Sequence, residues 1–276
     1  MIKPIINPTS EKMLLAITKR LPQSLLLTGD IGVGLSTISR YIAELRAVKP
    51  TIILPEKDEK IDINKGVIGV DIMRRLYNQT RTKAAGERII IIDYAERMTH
   101  QAQNAFLKLL EEPGDNIYFI LVSHSISKLL PTIVSRTENM DIKPISASQS
   151  EQLLELLGIT DGVKRSQLLF MANGLPAELT RLCNDLVYFE RRSANVRDAR
   201  ELLRGSVYQK LMIAQQYKDD RAKALTLLLD VAHILNRSIT ANPQIDTINR
   251  IDSILNTYQQ IEANGNIRLC LARMVV

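Results

Sequence analysis

Short apolar runs alternate with amphipathic stretches along the first half of the chain. Apolar, often β-branched runs predict strands at 25–27, 51–54, 88–93, 117–123 and 139–142. Apolar residues at helical spacing predict helices at 9–20, with a serine or threonine cap, and at 36–46, 67–84, 99–112 and 127–136. The charged segment 56–65 predicts a loop. Alternating strands and helices build a parallel α/β sheet whose ligand sites lie at the carboxyl ends of its strands.

Beyond Pro144 the strand signal ends and only helical patterns continue. Short helices are predicted at 148–157, 164–172, 176–190 and 196–203, and longer ones at 206–217, 221–236, 244–263 and after 266. The pattern therefore predicts three domains: an α/β domain at 1–144, a small helical domain at 145–204 and an all-helical C-terminal domain at 205–276.

The stretch Ser24–Thr37 predicts a buried strand, a glycine-rich turn and the start of a helix. Compared with the phosphate-loop pattern G-x-x-x-x-G-K-[S/T], Gly29 and Gly34 hold the glycine positions and Ser36 the hydroxyl position. Leu35 stands where the pattern has lysine. The loop thus keeps a backbone that can curl around phosphate, but it lacks a charged partner worth about 2–3 kcal/mol.

The strand at 88–93 ends in Asp93, where phosphate-loop ATPases place the acidic residue that holds magnesium. The neighbouring residue is Tyr94, a poor base at neutral pH, and Glu96 stands two residues further on. Two catalytic parts, the lysine and the adjacent glutamate, are absent independently, which indicates a site without hydrolysis. The candidate residues of this vestigial nucleotide site are Gly29, Gly32, Gly34, Ser36, Thr37 and Asp93.

A longer motif follows this strand. Residues 104–113 read N-A-F-L-K-L-L-E-E-P, and Ser135-Arg136-Thr137 comes later. At these distances the two motifs resemble the N-A-L-L-K-x-L-E-E-P and S-R-C motifs of the bacterial DNA polymerase III clamp-loader branch of the AAA+ ATPases. The resemblance covers about residues 20–185 well. It covers the C-terminal helices more loosely, through Asn264–Leu269, which is similar to the start of the family's last collar helix.

Within that branch the features are most similar to the delta-prime subunits, which commonly have a decayed phosphate loop and keep the serine-arginine motif. The resemblance implies an AAA+ domain, a lid and a helical collar, and a subunit that does not hydrolyse ATP itself. It implies that Arg136 acts in trans as an arginine finger on a neighbouring ATPase subunit, since its charge is permanent and its planar fork matches phosphate oxygens. The alternative for Arg136 is an ordinary arginine bonded to carbonyls at a helix end.

The implied partners are gamma/tau-like and delta-like clamp-loader subunits, the sliding clamp, and primer-template DNA contacted through its phosphates. Three departures from the family bear on cofactors. Residues 38–88 contain no cysteine, so the family's four-cysteine zinc module is missing. Thr137 replaces the motif's cysteine, and Ala177 stands where hydrolysing relatives have a nucleotide-sensing arginine. We therefore expect no metal site and no bound cofactor, ATP included. Ser123 keeps the polar sensor position, although a strand-capping hydroxyl explains it equally well.

Composition adds limits. The chain has 276 residues, a formal charge of +6, no tryptophan and 4% aromatic residues, which permits contact with nucleic-acid phosphates and disfavours a base-stacking platform. The sequence shows neither an apolar run of ~20 residues nor a secretory signal, so we expect a cytoplasmic protein without a membrane span. Three function hypotheses follow: a non-hydrolysing delta-prime-like subunit, an ATP-hydrolysing gamma/tau-like motor, and a scaffold that senses ATP without cleaving it.

Overall fold

The computed structural model describes residues 3–63, 65–80, 86–241 and 245–275. Packing divides the chain into two compact units, Met1–Cys183 and Asn184–Val276. The three-domain boundaries at 144 and 204 stay predictions beside this division.

The first unit is built on a parallel sheet of five strands. Its strands are β1 (Ser24–Thr28), β2 (Thr51–Ile53), β5 (Arg88–Ile92), β6 (Ile117–Ser123) and β7 (Glu138–Asp141). They lie in the order β2-β5-β6-β1-β7, and every pair is parallel. The predicted α/β class and parallel sheet are confirmed. The central strands β1, β5 and β6 are apolar and almost fully buried, as expected for a sheet covered on both faces.

Helices cover the two faces of this sheet. The helices of the first unit are α1 (Pro8–Lys19), α2 (Leu35–Leu45), α3 (Val70–Thr80), α4 (His100–Glu111), α5 (Pro131–Val134), α6 (Ala147–Leu156), α7 (Gly162–Ala172) and α8 (Pro176–Asn184). One core cluster contains Phe106 of α4 and Phe119 of β6, and the other contains Leu14 of α1 and Ile42 of α2. Thr99 caps α4 as predicted, because its hydroxyl accepts from the Ala102 N–H at 3.2 Å.

The predicted loop at 56–65 is wrong in its first part. Glu56–Lys57 (β3) and Lys60–Ile61 (β4) form an antiparallel hairpin. Its two turn residues, Asp58 and Glu59, both have positive φ, at 51° and 60°. A two-residue turn of that hand matches the twist of a hairpin. The usual glycine or asparagine signal is missing, so the sequence pattern did not reveal it.

Several helix boundaries also differ from the prediction. The cap of α1 is Asn7, whose side chain accepts from the Thr9 N–H, and not a serine or threonine. The helix predicted at 67–84 begins at Val70, because Val67 and Ile68 form isolated β-bridges; residues 81–85 lie outside the described part. The helix predicted at 127–136 is a 3-10 turn, Ile126–Lys128, followed by the four-residue α5.

The helix predicted at 176–190 is two helices. α8 ends at Asn184, and Asp185 caps a new helix, α9 (Leu186–Arg204), by accepting from the Tyr188 N–H at 2.9 Å. The helix predicted at 196–203 is the second half of α9. An aspartate cap inside a continuous helical pattern stops one helix and starts the next.

All the secondary-structure elements described in the second unit are helices. After α9 come α10 (Val207–Gln216), α11 (Arg221–Ala241), α12 (Ile245–Glu262) and α13 (Ile267–Val275). The helix predicted at 244–263 is thus confirmed from Ile245, while residue 244 lies outside the described part. Leu227, Leu228 and Ile261 lie at the centre of its core. Beside them, Arg192 forms a bidentate ion pair with Asp230, with N–O distances of 2.7 and 2.9 Å.

Candidate functional site

The glycine-rich loop lies at the carboxyl edge of the sheet, between β1 and α2. Its backbone has positive φ at Gly29, Gly32 and Gly34, at 154°, 95° and 93°. Residues with side chains rarely adopt these angles. At Gly29 a Cβ would also lie 2.7 Å from the carbonyl oxygen of Ile142. The loop therefore needs glycine at the three positions that the sequence assigned to it.

Ser36 and Asp93 meet directly. The Ser36 hydroxyl donates to Asp93 Oδ1 at 2.9 Å, although the two residues stand on different elements, the first turn of α2 and the end of β5. Asp93 is buried, and this burial raises the pKa of its carboxyl group. The Ser36 hydrogen bond and the positive charge of Arg40 partly oppose that rise in the pKa. The structure thus brings together two of the residues that the sequence assigned to the vestigial nucleotide site.

Leu35, at the lysine position, points away from the loop opening. Its side chain is 1% exposed and belongs to the hydrophobic cluster that contains Val33 and Ile38. Leu35 therefore packs in the core and does not project into the loop. Thr37 has an exposed side chain in the first turn of α2, and its N–H donates to the Gly34 carbonyl at 3.0 Å.

Tyr94 and Glu96 occupy a sharp turn after β5. Tyr94 has a φ of 58° and precedes the 3-10 turn Ala95–Arg97. Burial raises the pKa of the Tyr94 phenol, which makes it a still weaker base at neutral pH. One carboxylate oxygen of Glu96 is buried and has no hydrogen-bond partner among the described residues. The residue beside Asp93 is thus a tyrosine, and the nearest glutamate, Glu96, lies in the following 3-10 turn.

The sequence analysis missed His124. It follows Ser123 at the end of β6, and its Nδ1 lies 2.9 Å from the Gly29 carbonyl oxygen. Because a carbonyl only accepts, Nδ1 must carry the proton in this contact. Ser123 is fully buried, and its Oγ accepts from the Ser125 N–H at 3.2 Å, which is the strand-capping role. The strand-end rule that selected Asp93 would also have pointed to His124.

The start of α8 packs on the loop. The N–H groups of Ala177 and Glu178 both donate to the Gly32 carbonyl oxygen, at 2.9 and 3.2 Å. A Cβ at Gly32 would lie 3.0 Å from the Glu178 Cβ, and one at Gly34 would lie 3.8 Å from the Ala177 Cβ. The backbone of α8, including the Ala177 N–H, therefore holds the loop directly, and the Ala177 side chain contributes only a methyl group.

Arg136 lies away from this loop. Its Nη2 is 2.9 Å from Glu111 Oε1, and its Nη1 donates to the Thr132 carbonyl at 3.2 Å. The second bond is the helix-end contact that the alternative interpretation expected. The Arg136 side chain is 40% exposed, and a guanidinium has five N–H donors, of which these contacts use two.

The sheet topology separates Arg136 from the glycine-rich loop. Arg136 comes just before β7, whose first residue, Glu138, pairs with Leu25 near the start of β1. The loop begins after the end of β1, at Gly29. Because the strands are parallel, Arg136 is at the amino edge and the loop at the carboxyl edge. The four steps from Leu25 to Gly29 span about 13 Å, more than an arginine side chain can cross.

Comparison with known proteins finds similarity in the first half of the chain. Residues 11–146 match the family model described as "DNA polymerase III, delta subunit". A DNA polymerase III subunit delta' of Haemophilus influenzae is 35% identical over 42% of this chain and 35% of its own length. The same subunit of Pseudomonas aeruginosa is 32% identical over 56% of this chain and 46% of its own length. Over these segments the chain is similar to the delta-prime subunits of DNA polymerase III.

The chain also matches a solved structure over nearly its whole length. A DNA polymerase III gamma subunit-related protein from Thermotoga maritima aligns with a TM-score of 0.52 and 20% identity, covering 96% of this chain and 97% of that one. At that identity the match shows a shared fold alone. The matched segments span less than half the length of the two delta-prime relatives.

The family match contains the loop, Asp93 and Arg136, whereas Ala177 lies beyond it. Within the described ranges, no group of three or more His, Cys, Asp or Glu side chains is placed to hold a metal ion. None of the described helices combines the length and the apolar composition needed to cross a bilayer.

Proposed function

We propose that this chain is a non-hydrolysing, delta-prime-like subunit of a DNA polymerase III clamp loader. In this proposal it assembles with gamma/tau-like and delta-like subunits in the cytoplasm, and the complex places the sliding clamp on primer-template DNA. The family match supports assembly with other clamp-loader subunits. The clamp, the DNA phosphates and the cytoplasmic location are part of the proposal.

In the proposal, Arg136 supplies an arginine finger to the ATP site of the neighbouring subunit. The observation that carries this role is the place of Arg136 at the amino edge, where it cannot reach the loop of its own chain. A guanidinium there is available to a phosphate group that another subunit presents. When ATP is cleaved, charge develops on the transferred phosphoryl oxygens, and a planar cation with several N–H donors stabilises it.

The chain's own loop fits magnesium triphosphate poorly. Ser36 and Asp93 could share a magnesium ion, but the position that should neutralise the outer phosphates holds the buried Leu35. Tyr94 stands where a glutamate would orient the attacking water, and burial raises the pKa of its phenol. We therefore derive no catalytic step at this loop, and the vestigial site keeps its shape through backbone and core contacts.

The test uses a reconstituted clamp loader from the same organism in which one ATP site is isolated. Every other subunit carries alanine in place of the arginine of its own serine-arginine motif, so that the site beside this chain is the one under test. In this single-site complex, Arg136→Ala should lower ATP turnover by on the order of 10³-fold. Unchanged turnover would show that Arg136 is only a helix-end residue.

ATP turnover by the purified chain alone tests the ATP-hydrolysing alternative. We expect no turnover above the buffer background with magnesium and ATP. Turnover near ~1 per second, at the low end of common enzyme rates, would instead identify a gamma/tau-like motor. Equilibrium binding of a fluorescent ATP analogue, which we expect to be absent, tests the nucleotide-sensing scaffold.

A further inference from the structure

The guanidinium of Arg136 is held from two sides by its own chain. Glu111, in the last turn of α4, lies 2.9 Å from Nη2, and the Thr132 carbonyl of α5 accepts from Nη1 at 3.2 Å. The two contacts come from different elements and use different terminal nitrogens. Together they fix the direction of the side chain and the plane of the guanidinium.

Glu111 stands in an electrostatically poor place for a carboxylate. The C-terminal end of a helix carries partial negative charge, which disfavours a nearby anion. The ion pair with Arg136 is exposed on both sides, at 40% and 52%, so it adds little to the stability of the fold. Its main physical effect is therefore on the conformation of Arg136.

We propose that Glu111 is a positioning residue that pre-orders Arg136 for the neighbouring subunit's phosphate. This inference rests on the proposed finger role. A free arginine side chain loses rotamer entropy when it binds phosphate, and a side chain that is already held in place loses less. Arg136 has five N–H donors, and the two contacts with Glu111 and Thr132 occupy two of them. The others remain available to phosphate oxygens.

The test compares Glu111→Ala with Glu111→Gln in the single-site complex. Glu111→Ala should lower kcat for ATP about 2- to 5-fold, the range that an exposed ion pair can supply, and leave KM unchanged, because pre-ordering acts on the transition state. Glu111→Gln should keep most of the rate, since the amide oxygen still accepts from Nη2. The matched control is Glu112→Ala, which removes the next, equally exposed carboxylate of the same motif. It should leave both constants unchanged.

A double-substitution cycle separates positioning from a general structural effect. In a complex that already carries Arg136→Ala, adding Glu111→Ala should cause no further loss of rate. Additive losses, an unchanged rate, or a faster rate with Glu111→Ala would each overturn the inference. If Arg136→Ala itself has no effect, the proposed function fails. If Arg136→Ala lowers the rate and Glu111→Ala does not, only the positioning role fails.

Discussion

The two edges of one parallel sheet have opposite chemical character in this protein. At the carboxyl edge, the loop Gly29–Gly34 keeps the positive φ angles of a phosphate loop, yet Leu35 at the lysine position is buried in the core. At the amino edge, Arg136 keeps its charge and is exposed and ion-paired. The comparison teaches that the backbone geometry of this glycine-rich loop does not depend on a charged residue at position 35.

The carboxyl edge keeps its geometry for reasons that do not involve a ligand. The Gly32 carbonyl accepts from two N–H groups of α8, the Gly29 carbonyl contacts His124, and Ser36 donates to Asp93. At the amino edge, the position of Arg136 depends on two contacts of a side chain at the surface. We therefore expect substitutions at the carboxyl edge to change stability, and substitutions at the amino edge to change the activity of the complex.

Replacing Arg136 by lysine should have the largest effect. Lysine keeps the positive charge but has neither the planar fork nor the Nη contacts with Glu111 and Thr132. We expect turnover by the single-site complex to fall about 10²-fold, compared with about 10³- to 10⁵-fold for a missing finger. Arg74→Lys, at a surface arginine paired with Asp71, is the matched control and should leave turnover unchanged. A lysine variant as active as the wild type would show that only the positive charge at position 136 matters, and not the planar guanidinium.

Leu35→Lys should damage the carboxyl edge without repairing it. The change places an ammonium group in a core cluster, and we expect the free energy of unfolding to fall by about 2–4 kcal/mol. Denaturant titration measures this, with the volume-conserving Leu35→Met as the control, which should cost less than about 1.5 kcal/mol. No ATP turnover should appear, because Tyr94 still provides no carboxylate. A stable Leu35→Lys variant that hydrolyses ATP would contradict the account of this edge.

Gly32→Ala should loosen the contact between the loop and α8. Gly32 has a φ of 95°, and a Cβ there would lie 3.0 Å from the Glu178 Cβ. The strain should lower the free energy of unfolding by about 1–3 kcal/mol. Gly69→Ala provides the control, since a Cβ there meets nothing within 4 Å, and it should change stability little. Equal stability of the two variants would show that α8 does not constrain the loop.

Asp93→Asn should have the smallest effect of the four substitutions. We expect it to raise the free energy of unfolding at neutral pH. Burial raises the pKa of Asp93 above its ordinary value of 3.8, so the folded state binds the proton more tightly than the unfolded state does. The stability of the wild type therefore falls as the pH rises from 3.8 through the raised pKa. Asparagine has no proton to lose in this pH range, so the variant does not lose stability in this way. Thermal unfolding should show a variant that is more stable at pH 7, with a difference that shrinks towards pH 4.

If the asparagine variant were stabilised more at pH 4 than at pH 7, the predicted direction of the Asp93 pKa shift would be wrong. It would mean that Ser36, Arg40 and the other groups that favour the charged carboxylate outweigh its burial.

The strands and the glycine loop could be predicted because their signals are local. The apolar run of β5 is almost fully buried, and the three glycines of the loop have the angles that only glycine adopts readily. The hairpin β3–β4 was missed because its turn uses Asp58 and Glu59 in place of glycine or asparagine. The aspartate that caps α9 was missed because it falls inside an uninterrupted helical pattern.

The candidate site residues divide in the same way, into those with a local sequence signal and those that depend on tertiary packing. Asp93 and Ser36 were found by position relative to a strand and a helix, and the fold brings them into contact. The pairing of Arg136 with Glu111, and of His124 with Gly29, depends on which elements the sheet places side by side. No spacing rule along one chain gives these contacts, since they arise from tertiary packing.

The central claim is tested most directly by the structure of the assembled complex with a non-hydrolysable ATP analogue. The measurement is the distance from the Arg136 guanidinium to the terminal phosphate bound by the adjacent subunit. The account predicts a direct hydrogen bond of about 2.7–2.9 Å between them. A terminal phosphate beyond the reach of Arg136, or magnesium triphosphate with a poised water beside Asp93 of this chain, would contradict it.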